Sequence, residues 1–501
     1  MHANTSRRGW MCSPVFFAMM LLCAVSDAHA QMRSPVEERG FSRPTSYGEL
    51  QEFLTRAAAT PGITVTSIAR TSKNRDVSLV TITSSPVFGS DTTKLRVLLF
   101  AQQHGDEPSG KEAMTMLIAR AVSGELRSLL RKMDLLLIPQ MNPDGAELRQ
   151  RRTADGIDLN RNHVLLSSPE TKALHDVYHL WLPEVTVDVH EYGSFSEEWS
   201  NAGFIKTGDV QLGMLTNLNT SPATYALQHE QIFPFIATRM KQRGFSFHEY
   251  IVGTPQEYIR HSTTEVNDGR QSFGILGSVS FIQEGRKWRS LEDELERRAR
   301  SQLAALEALL DFCTENARTL KRHVAQERNR LRQSAGAFVP IRMDHLADSK
   351  VMEIPVQMVG TGRDTIWHVH PYRSKVELLK AVILPSAYIV ERKDSAVLAL
   401  LARHHIAIET VTRDSTIVAT QYITDSVGTT VIEGDTLPLL HTTAETAAVR
   451  LKPGDALIPT AQLQSRLIAL LLEPESQWGL TKYEQFAYLR QEKRYPFKRI
   501  H

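Results

Sequence analysis

The sequence predicts an α/β domain, with a mostly parallel or mixed twisted sheet flanked by helices, followed by a second, smaller and mostly β domain. Three observations carry this. Up to about residue 290, short Val/Leu/Ile-rich runs bounded by turn residues alternate with stretches of helical apolar spacing. That alternation implies strand–helix–strand connections and a largely parallel sheet. Between residues 290 and 332, Leu291, Leu295, Leu303, Leu306, Leu310 and Cys313 recur at helical steps among many charges, as in a long closing helix. Past Ala335 the texture turns to alternating strand-like runs, which sets a boundary there.

The elements follow in order. Arg7 and Arg8 precede an apolar run from Val15 to Val25 that closes on Ala28-His29-Ala30. A charged start, a short apolar stretch and a small-x-small end are the marks of a secretory signal peptide, here residues 1–30, cleaved before Gln31. The run is too short to span a bilayer. Cys23 follows Leu22 rather than a small residue, which argues against lipid attachment. With Cys12 and Cys23 removed, Cys313 is left without a disulfide partner, and its apolar helical position predicts burial. Residues 46–59 predict a helix, 64–69, 77–82 and 95–100 strands, 108–122 a helix, and 134–138, 185–189 and 278–282 strands. Domain boundaries are thus expected at 31–335 and 336–501. In the second domain, residues 351–356, 365–369 and 417–423 are strand-like.

Composition excludes little but sets limits. With 58 basic and 56 acidic residues among 501, the net charge of +2 offers no electrostatic argument for nucleic acid or a membrane surface. The basic stretch 318–332 interleaves acids and glutamines, the pattern of a solvated helical face rather than a polyanion site. No stretch after the leader reaches transmembrane length. An exported protein, periplasmic or extracellular and without stable membrane insertion, is expected.

Four blocks each end an expected strand: His104-Gly105-Asp106-Glu107; Asn142-Pro143-Asp144-Gly145, followed by Arg151 and by Gly156-Ile157-Asp158-Leu159-Asn160-Arg161-Asn162; Asp188-Val189-His190-Glu191; and Ser280-Phe281-Ile282-Gln283-Glu284. All would lie on one edge of one sheet, where open α/β sheets place their binding crevices. His-x-x-Glu in a turn can aim an imidazole and a carboxylate at one ion.

In this order the blocks resemble the zinc metallocarboxypeptidase family typified by pancreatic carboxypeptidase A. The resemblance extends to Tyr47-Gly48-Glu49-Leu50 and Thr71-Ser72-Lys73-Asn74-Arg75, and covers roughly residues 45 to 290. It implies His104, Glu107 and His190 as ligands of one Zn²⁺, and Glu284 as general base to a metal-activated water. It further implies Arg151 polarising the scissile carbonyl, and Asn160 and Arg161 gripping the terminal carboxylate of a peptide. The chemistry agrees with each role. Two imidazoles and a carboxylate leave a fourth position open on a catalytic zinc, and a neighbouring carboxylate can accept and return a proton. Arg151 offers charge to an oxyanion, and Arg161 a fork for a carboxylate. Asp158 is a candidate partner for a ligand histidine, or equally a turn-capping residue.

Elsewhere the pattern departs. The family's mobile tyrosine has no clear match: Tyr258 is nearest, while Ser262 falls closer to the expected offset. The interval from His190 to Glu284 is long and is expected to hold an insertion. His229-Glu230 and His248-Glu249 lack the second histidine of a His-Glu-x-x-His helix and are expected as surface pairs. His368 and His370 are expected on an exposed face, and Arg270 either touches substrate or forms a loop salt bridge. The blocks Pro385-Ser386-Ala387-Tyr388-Ile389-Val390 and Leu471-Leu472-Glu473-Pro474-Glu475-Ser476 resemble those of large bacterial relatives with an appended β-rich domain. That domain either narrows the cleft or merely stabilises the fold. Besides a carboxypeptidase, two functions stay open: a zinc amidase acting on cell-wall peptides or acylated amino acids, and an inactive binding protein of the same fold.

Overall fold

Helix formation starts where the sequence supplies a reciprocal cap. Ser46 Oγ accepts from the Glu49 backbone amide, and the Glu49 carboxylate returns to Ser46 N at 2.9 Å, opening the helix Tyr47–Ala57. The structure, a computed structural model, describes residues 1–2 and 32–501, so the expected leader, with Cys12 and Cys23, lies outside the described residues apart from its first two positions.

Eleven strands follow before the long helix: β1 Ile63–Arg70, β2 Asp76–Ile82, β3 Leu95–Ala101, β4 Met133–Ile138, β5 Val185–Gly193, β6 Phe204–Lys206, β7 Val210–Gly213, β8 Phe247–Glu249, β9 Ile251–Thr254, β10 Tyr258–His261 and β11 Val279–Lys287. Eight form one sheet in the order β1-β2-β4-β3-β5-β11-β7-β8. Its centre, β4-β3-β5-β11, is parallel, whereas β1-β2, β2-β4 and β7-β11 are antiparallel. The sheet is therefore mixed. The four parallel strands bring their carboxyl ends to one edge.

Both faces of the centre are covered, which is why these strands read as unbroken apolar runs. Val97 and Leu99 of β3 enter the core shared with the helices Ser109–Val122 and Leu295–Arg332. Leu98 and Phe100 enter the opposite core with Leu174, Tyr178 and Phe273. β5 and β11 run on past their apolar parts, because in-register pairing continues from Val185↔Val279 to Gly193↔Lys287. The helix Leu295–Arg332 spans 38 residues, and Cys313 is buried on it. Most of its basic end faces solvent, but Arg328 turns inward and donates to the carbonyls of Leu182 at 2.8 Å and Pro183 at 2.7 Å.

Beyond residue 336 come β12 Phe338–Asp348, β13 Met352–Met358, β14 Asp364–Val369, β15 Tyr372–Ile383, β16 Ala387–Val390, β17 Glu409–Thr410, β18 Ser415–Ile432, β19 Asp435–Leu451, β20 Ala456–Pro459 and β21 Arg494–Ile500. This segment is β-rich, and β16 to β21 form a six-stranded sheet of their own. β12 to β15 do not stay apart from the rest. One sheet runs β12-β15-β10-β9 and another β14-β13-β6, so strands of the long interval between His190 and Glu284 are hydrogen-bonded to strands from beyond 336. Hydrogen-bonded sheets therefore cross the boundary expected at 336. No described helix is long and apolar enough to cross a membrane.

His248 and Glu249 correct one expectation. They are buried on β8, where Glu249 accepts from Lys350 Nζ at 2.7 Å and the His248 ring donates to the Glu249 carbonyl at 2.8 Å. β8 is an edge strand of the large sheet, and Lys350 and Tyr372 from beyond 336 reach its Glu249.

Candidate metal centre

The turn after β3 is fixed by its neighbour after β4. A Cβ on Gly105 would sit 2.0 Å from the Gly145 carbonyl carbon, so the two turns touch backbone to backbone as only glycine permits. Asn142 Nδ2 donates to the carbonyls of Gln103 at 3.1 Å and Arg151 at 3.2 Å, while its Oδ1 caps Gly145 N at 2.8 Å. Asp144 holds Arg75 at 2.7 Å. The Asn142-to-Gly145 block is thus a brace that sets His104 and Arg151 relative to each other.

The brace aims His104 and Glu107 at His190 of β5. One ligand atom from each of the three lies within 4.8 Å of the others, and the side chains are nearly inaccessible, with 4%, 6% and 1% of each residue exposed. His104 Nδ1 is 2.8 Å from Glu107 Oε1, and His190 Nδ1 is 2.9 Å from Oε2. The two Nδ1 atoms are 3.1 Å apart.

Behind the rings, His104 Nε2 meets Asp158 at 3.2 Å and His190 Nε2 meets Asp188 at 2.8 Å. A carboxylate behind each ring places the N–H on Nε2 and leaves the Nδ1 lone pairs converging. Two lone pairs and a carboxylate pointed at one spot repel unless a cation lies between them. Two imidazole nitrogens and a carboxylate are the donor set that zinc takes. The residues present fit the ion.

Asp158 serves two ends at once, because it also caps Asn160 N at 3.1 Å and accepts from Arg151 Nε at 2.9 Å. Asp188 was not singled out from sequence. Its signal was available: in a strand, residues two apart share a face, so Asp-x-His on β5 turns both side chains the same way.

Glu284 is the register partner of His190 on the adjacent strand β11. It is buried, and burial pushes its carboxyl up to about 7, with Glu107 adding to the effect and His190 opposing it. Burial alone would raise Glu107, but His104 and His190 hold it well below the carboxylate range. Arg151 NH1 lies 3.2 Å from His104 Nδ1 and 3.9 Å from Glu107.

His104, Glu107, Arg151 and Glu284 line a cleft of about 530 Å³ that also takes in Asn160, Arg161, Lys206 and Tyr250. The Asn160 amide is already engaged, accepting from Gly269 N at 2.9 Å and facing His190 Nε2 at 3.4 Å. Arg161 is bound to the Asn160 carbonyl at 2.6 Å, and among the described residues no carboxylate lies within ion-pair distance of it.

Neither Tyr258 nor Ser262 lines the cleft; Tyr250 does, and nothing in its sequence neighbourhood marks it. Tyr258 lies under the Arg373 guanidinium, 4.1 Å away. Ser262, at φ +54°, donates its N–H to the Tyr250 carbonyl at 3.0 Å. Arg270 is fully buried and pairs with Asp268 at 2.8 Å, so the expected salt bridge forms, but in the first turn of the helix Gly269–Gly274 rather than in a loop. The wall near Tyr250 is held from afar. Glu433, at the tip of the β18–β19 hairpin, accepts from Thr263 Oγ1 at 2.5 Å, Thr264 N at 2.8 Å and Thr264 Oγ1 at 3.0 Å, with the His345 ring 2.9 Å away.

Residues 50–201 match the peptidase M14 family, zinc carboxypeptidase. A protein described as carboxypeptidase 2 from Trichophyton rubrum is 25% identical over 424 residues, spanning 78% of this chain and 74% of its own. Carboxypeptidase SOL1 from Arabidopsis thaliana is 34% identical over 86 residues, 14% of this chain and 18% of its own. Among solved structures, a metallo-carboxypeptidase from Pseudomonas aeruginosa aligns with 22% identity and a TM-score of 0.42, over 55% of this chain and 70% of that one.

Proposed function

We propose that the chain acts as a zinc metallocarboxypeptidase, a reading supported by the match of residues 50–201 to that family, and that it removes the C-terminal residue of peptides with Glu284 as general base and Arg161 as the anchor of the terminal carboxylate. One observation carries this most directly: the three ligand atoms converge on the carboxyl edge of the sheet with Glu284 on the adjacent strand, in register with His190.

Zinc, when held by His104, Glu107 and His190, supplies Lewis acidity toward the carbonyl and the attacking water. The remaining work falls to the chain itself. Glu284 takes the proton of the attacking water and delivers it to the leaving amine, a task suited to a carboxyl raised to about 7. Arg151 puts a fixed positive charge beside the ligand cluster, where the oxyanion develops. Asp158 and Asp188 hold the two imidazoles in one tautomer throughout. Arg161, whose guanidinium hydrogen-bonds only the Asn160 carbonyl among the described residues, pairs with a carboxylate and so limits cleavage to the last bond. Asn160 lines the same cleft beside it.

The experiment offers zinc-loaded protein one peptide with a free and one with an amidated C-terminus, read by mass spectrometry. Loss of a single terminal residue from the free peptide alone is expected. Equal cleavage of both would overturn the exopeptidase assignment in favour of an amidase, and cleavage of neither would favour a binding protein. Export with removal of residues 1–30 belongs to the same proposal and rests on the sequence; N-terminal sequencing of the exported protein tests it. The assignment of residues 31–335 as the catalytic part is likewise proposed, with the strand exchange across 336 as its qualification in space.

A further inference from the structure

Four cations line the cleft, and they differ in what they already hold. Arg151 is paired with Asp158, and Lys287 with Asp106. Arg161 touches only a carbonyl. Lys206 makes no hydrogen bond or ion pair through its ammonium among the described residues; it lies over the rings of Tyr192 at 4.9 Å and Trp199 at 5.1 Å. Aromatic faces attract a cation without consuming its hydrogen-bond donors. The side chain is well placed and its charge is unspent.

Its position is set by backbone pairing. β6 pairs with β13, with Lys206 opposite Val356, Ile205 opposite Gln357 and Phe204 opposite Met358, so a strand from beyond 336 fixes the lysine at the rim. The two free cations face different stretches of the cleft. The charges around Arg161 are Asp158, Asp268 and Glu265; those around Lys206 are Glu284 and Glu198. Lys206 and Glu284 line the same cleft as Arg161, so a terminal carboxylate on Arg161 would bring the residue that contributes the scissile carbonyl toward Lys206.

We propose that Lys206 is an anion-recognition subsite that selects peptides with an acidic side chain immediately before the scissile bond. The proposal deepens the carboxypeptidase assignment and rests on it for the direction of the substrate. Burial lowers the amine to about 8, so it is still mostly charged at neutral pH. A carboxylate from the substrate would replace solvation that burial has removed. The flanking rings give the same group an apolar seat for the methylenes of glutamate.

The test compares two N-acylated dipeptides that share a C-terminal residue and carry Glu or Gln before it, with zinc-loaded wild type, Lys206→Met and Lys206→Arg. The wild type is expected to prefer the Glu peptide in kcat/KM by on the order of tenfold at low salt, the worth of one charge-assisted hydrogen bond. The preference should shrink with added salt, vanish in Lys206→Met and survive in Lys206→Arg. Zinc content and melting temperature establish that each variant is folded. Equal wild-type rates for the two peptides, or an unchanged preference in Lys206→Met, would overturn the proposal. Calorimetric binding of both peptides separates it from the catalytic assignment. If neither is hydrolysed but Glu binds more tightly through Lys206, the subsite stands and the peptidase assignment falls; equal affinities sink the subsite whatever the hydrolysis shows.

Discussion

The edge of the sheet and the outer wall of the cleft are assembled in opposite ways. At the edge, His104, Glu107, His190 and Glu284 ride on or directly after three adjacent parallel strands, and each is held by a neighbour on the same sheet or turn. At the wall, Lys206, Tyr250 and Thr263 belong to the long interval between His190 and Glu284, and strands or side chains from more than 100 residues away hold them: β13 on β6, β15 on β10, Glu433 on Thr263 and Thr264. The edge places chemistry, whereas the wall places substrate. Perturbing one should leave the other measurably intact.

The largest break in that comparison is Glu284→Gln. Turnover should fall by roughly 10²- to 10⁴-fold, the usual share of a general base, while zinc stays at one per chain by elemental analysis and peptide still binds. Loss of zinc with the activity would mean that the edge cannot be separated into ligands and base. The same substitution has a stability signature in the metal-free protein. A carboxyl whose folded value, about 7, exceeds the usual 4.5 binds its proton more tightly when folded. Stability then falls as pH rises from 4.5 to 7, and the loss is complete above 7. Gln cannot ionise, so the variant should melt a few degrees higher than wild type at pH 8 and alike at pH 4. A difference independent of pH would remove the buried charge as its cause.

Next in size is Asp188→Asn. An amide can present the wrong group to His190 Nε2, and zinc affinity should drop about 10- to 100-fold by competition with a chelator. Unchanged affinity would show that the ring is oriented by packing alone. Arg161→Ala tests the border between the two regions. KM for peptides with a free carboxylate should rise on the order of tenfold or more with kcat and zinc little altered, and a fall in kcat alone would move Arg161 from binding to chemistry.

The same contrast explains what the sequence discloses. Core strands are legible because each buries both faces and so appears as an apolar run; the expected 95–100 and 134–138 match β3 and β4 to within a residue. The ends of β5 and β11 are not, because His190 to Gly193 and Gln283 to Lys287 break the apolar run and extend only through pairing with each other. The ligand motifs are compact in sequence, since a turn can bring His104 and Glu107 together locally. Tyr250 and Lys206 carry no such mark. Their places depend on sheets that cross residue 336, and no local periodicity encodes a partner so far along the chain. For the same reason Glu249 looks like a surface residue, although it is buried and bonded to Lys350 and Tyr372 from beyond 336.

The smallest expected effect is the sharpest test of the wall. Glu433, itself at φ +54° on the hairpin tip, places both carboxylate oxygens against the Thr263–Thr264 turn, beside Ser262 in the same left-handed region. The Ser262 N–H holds the Tyr250 carbonyl. Glu433→Gln keeps the volume but turns one oxygen into a donor; the threonine hydroxyls can reverse their roles, so the contacts become neutral hydrogen bonds and the charge facing His345 is lost. Trading charge-assisted for neutral hydrogen bonds costs about 1 kcal/mol, or several-fold in binding. KM should therefore rise about three- to tenfold, with kcat within twofold and zinc affinity unchanged. Because the ligands and Glu284 stand on or directly after strands of a different sheet from the hairpin, a proportionate fall in kcat would contradict the division between edge and wall. No change in KM would reduce the hairpin tip to a stabilising contact.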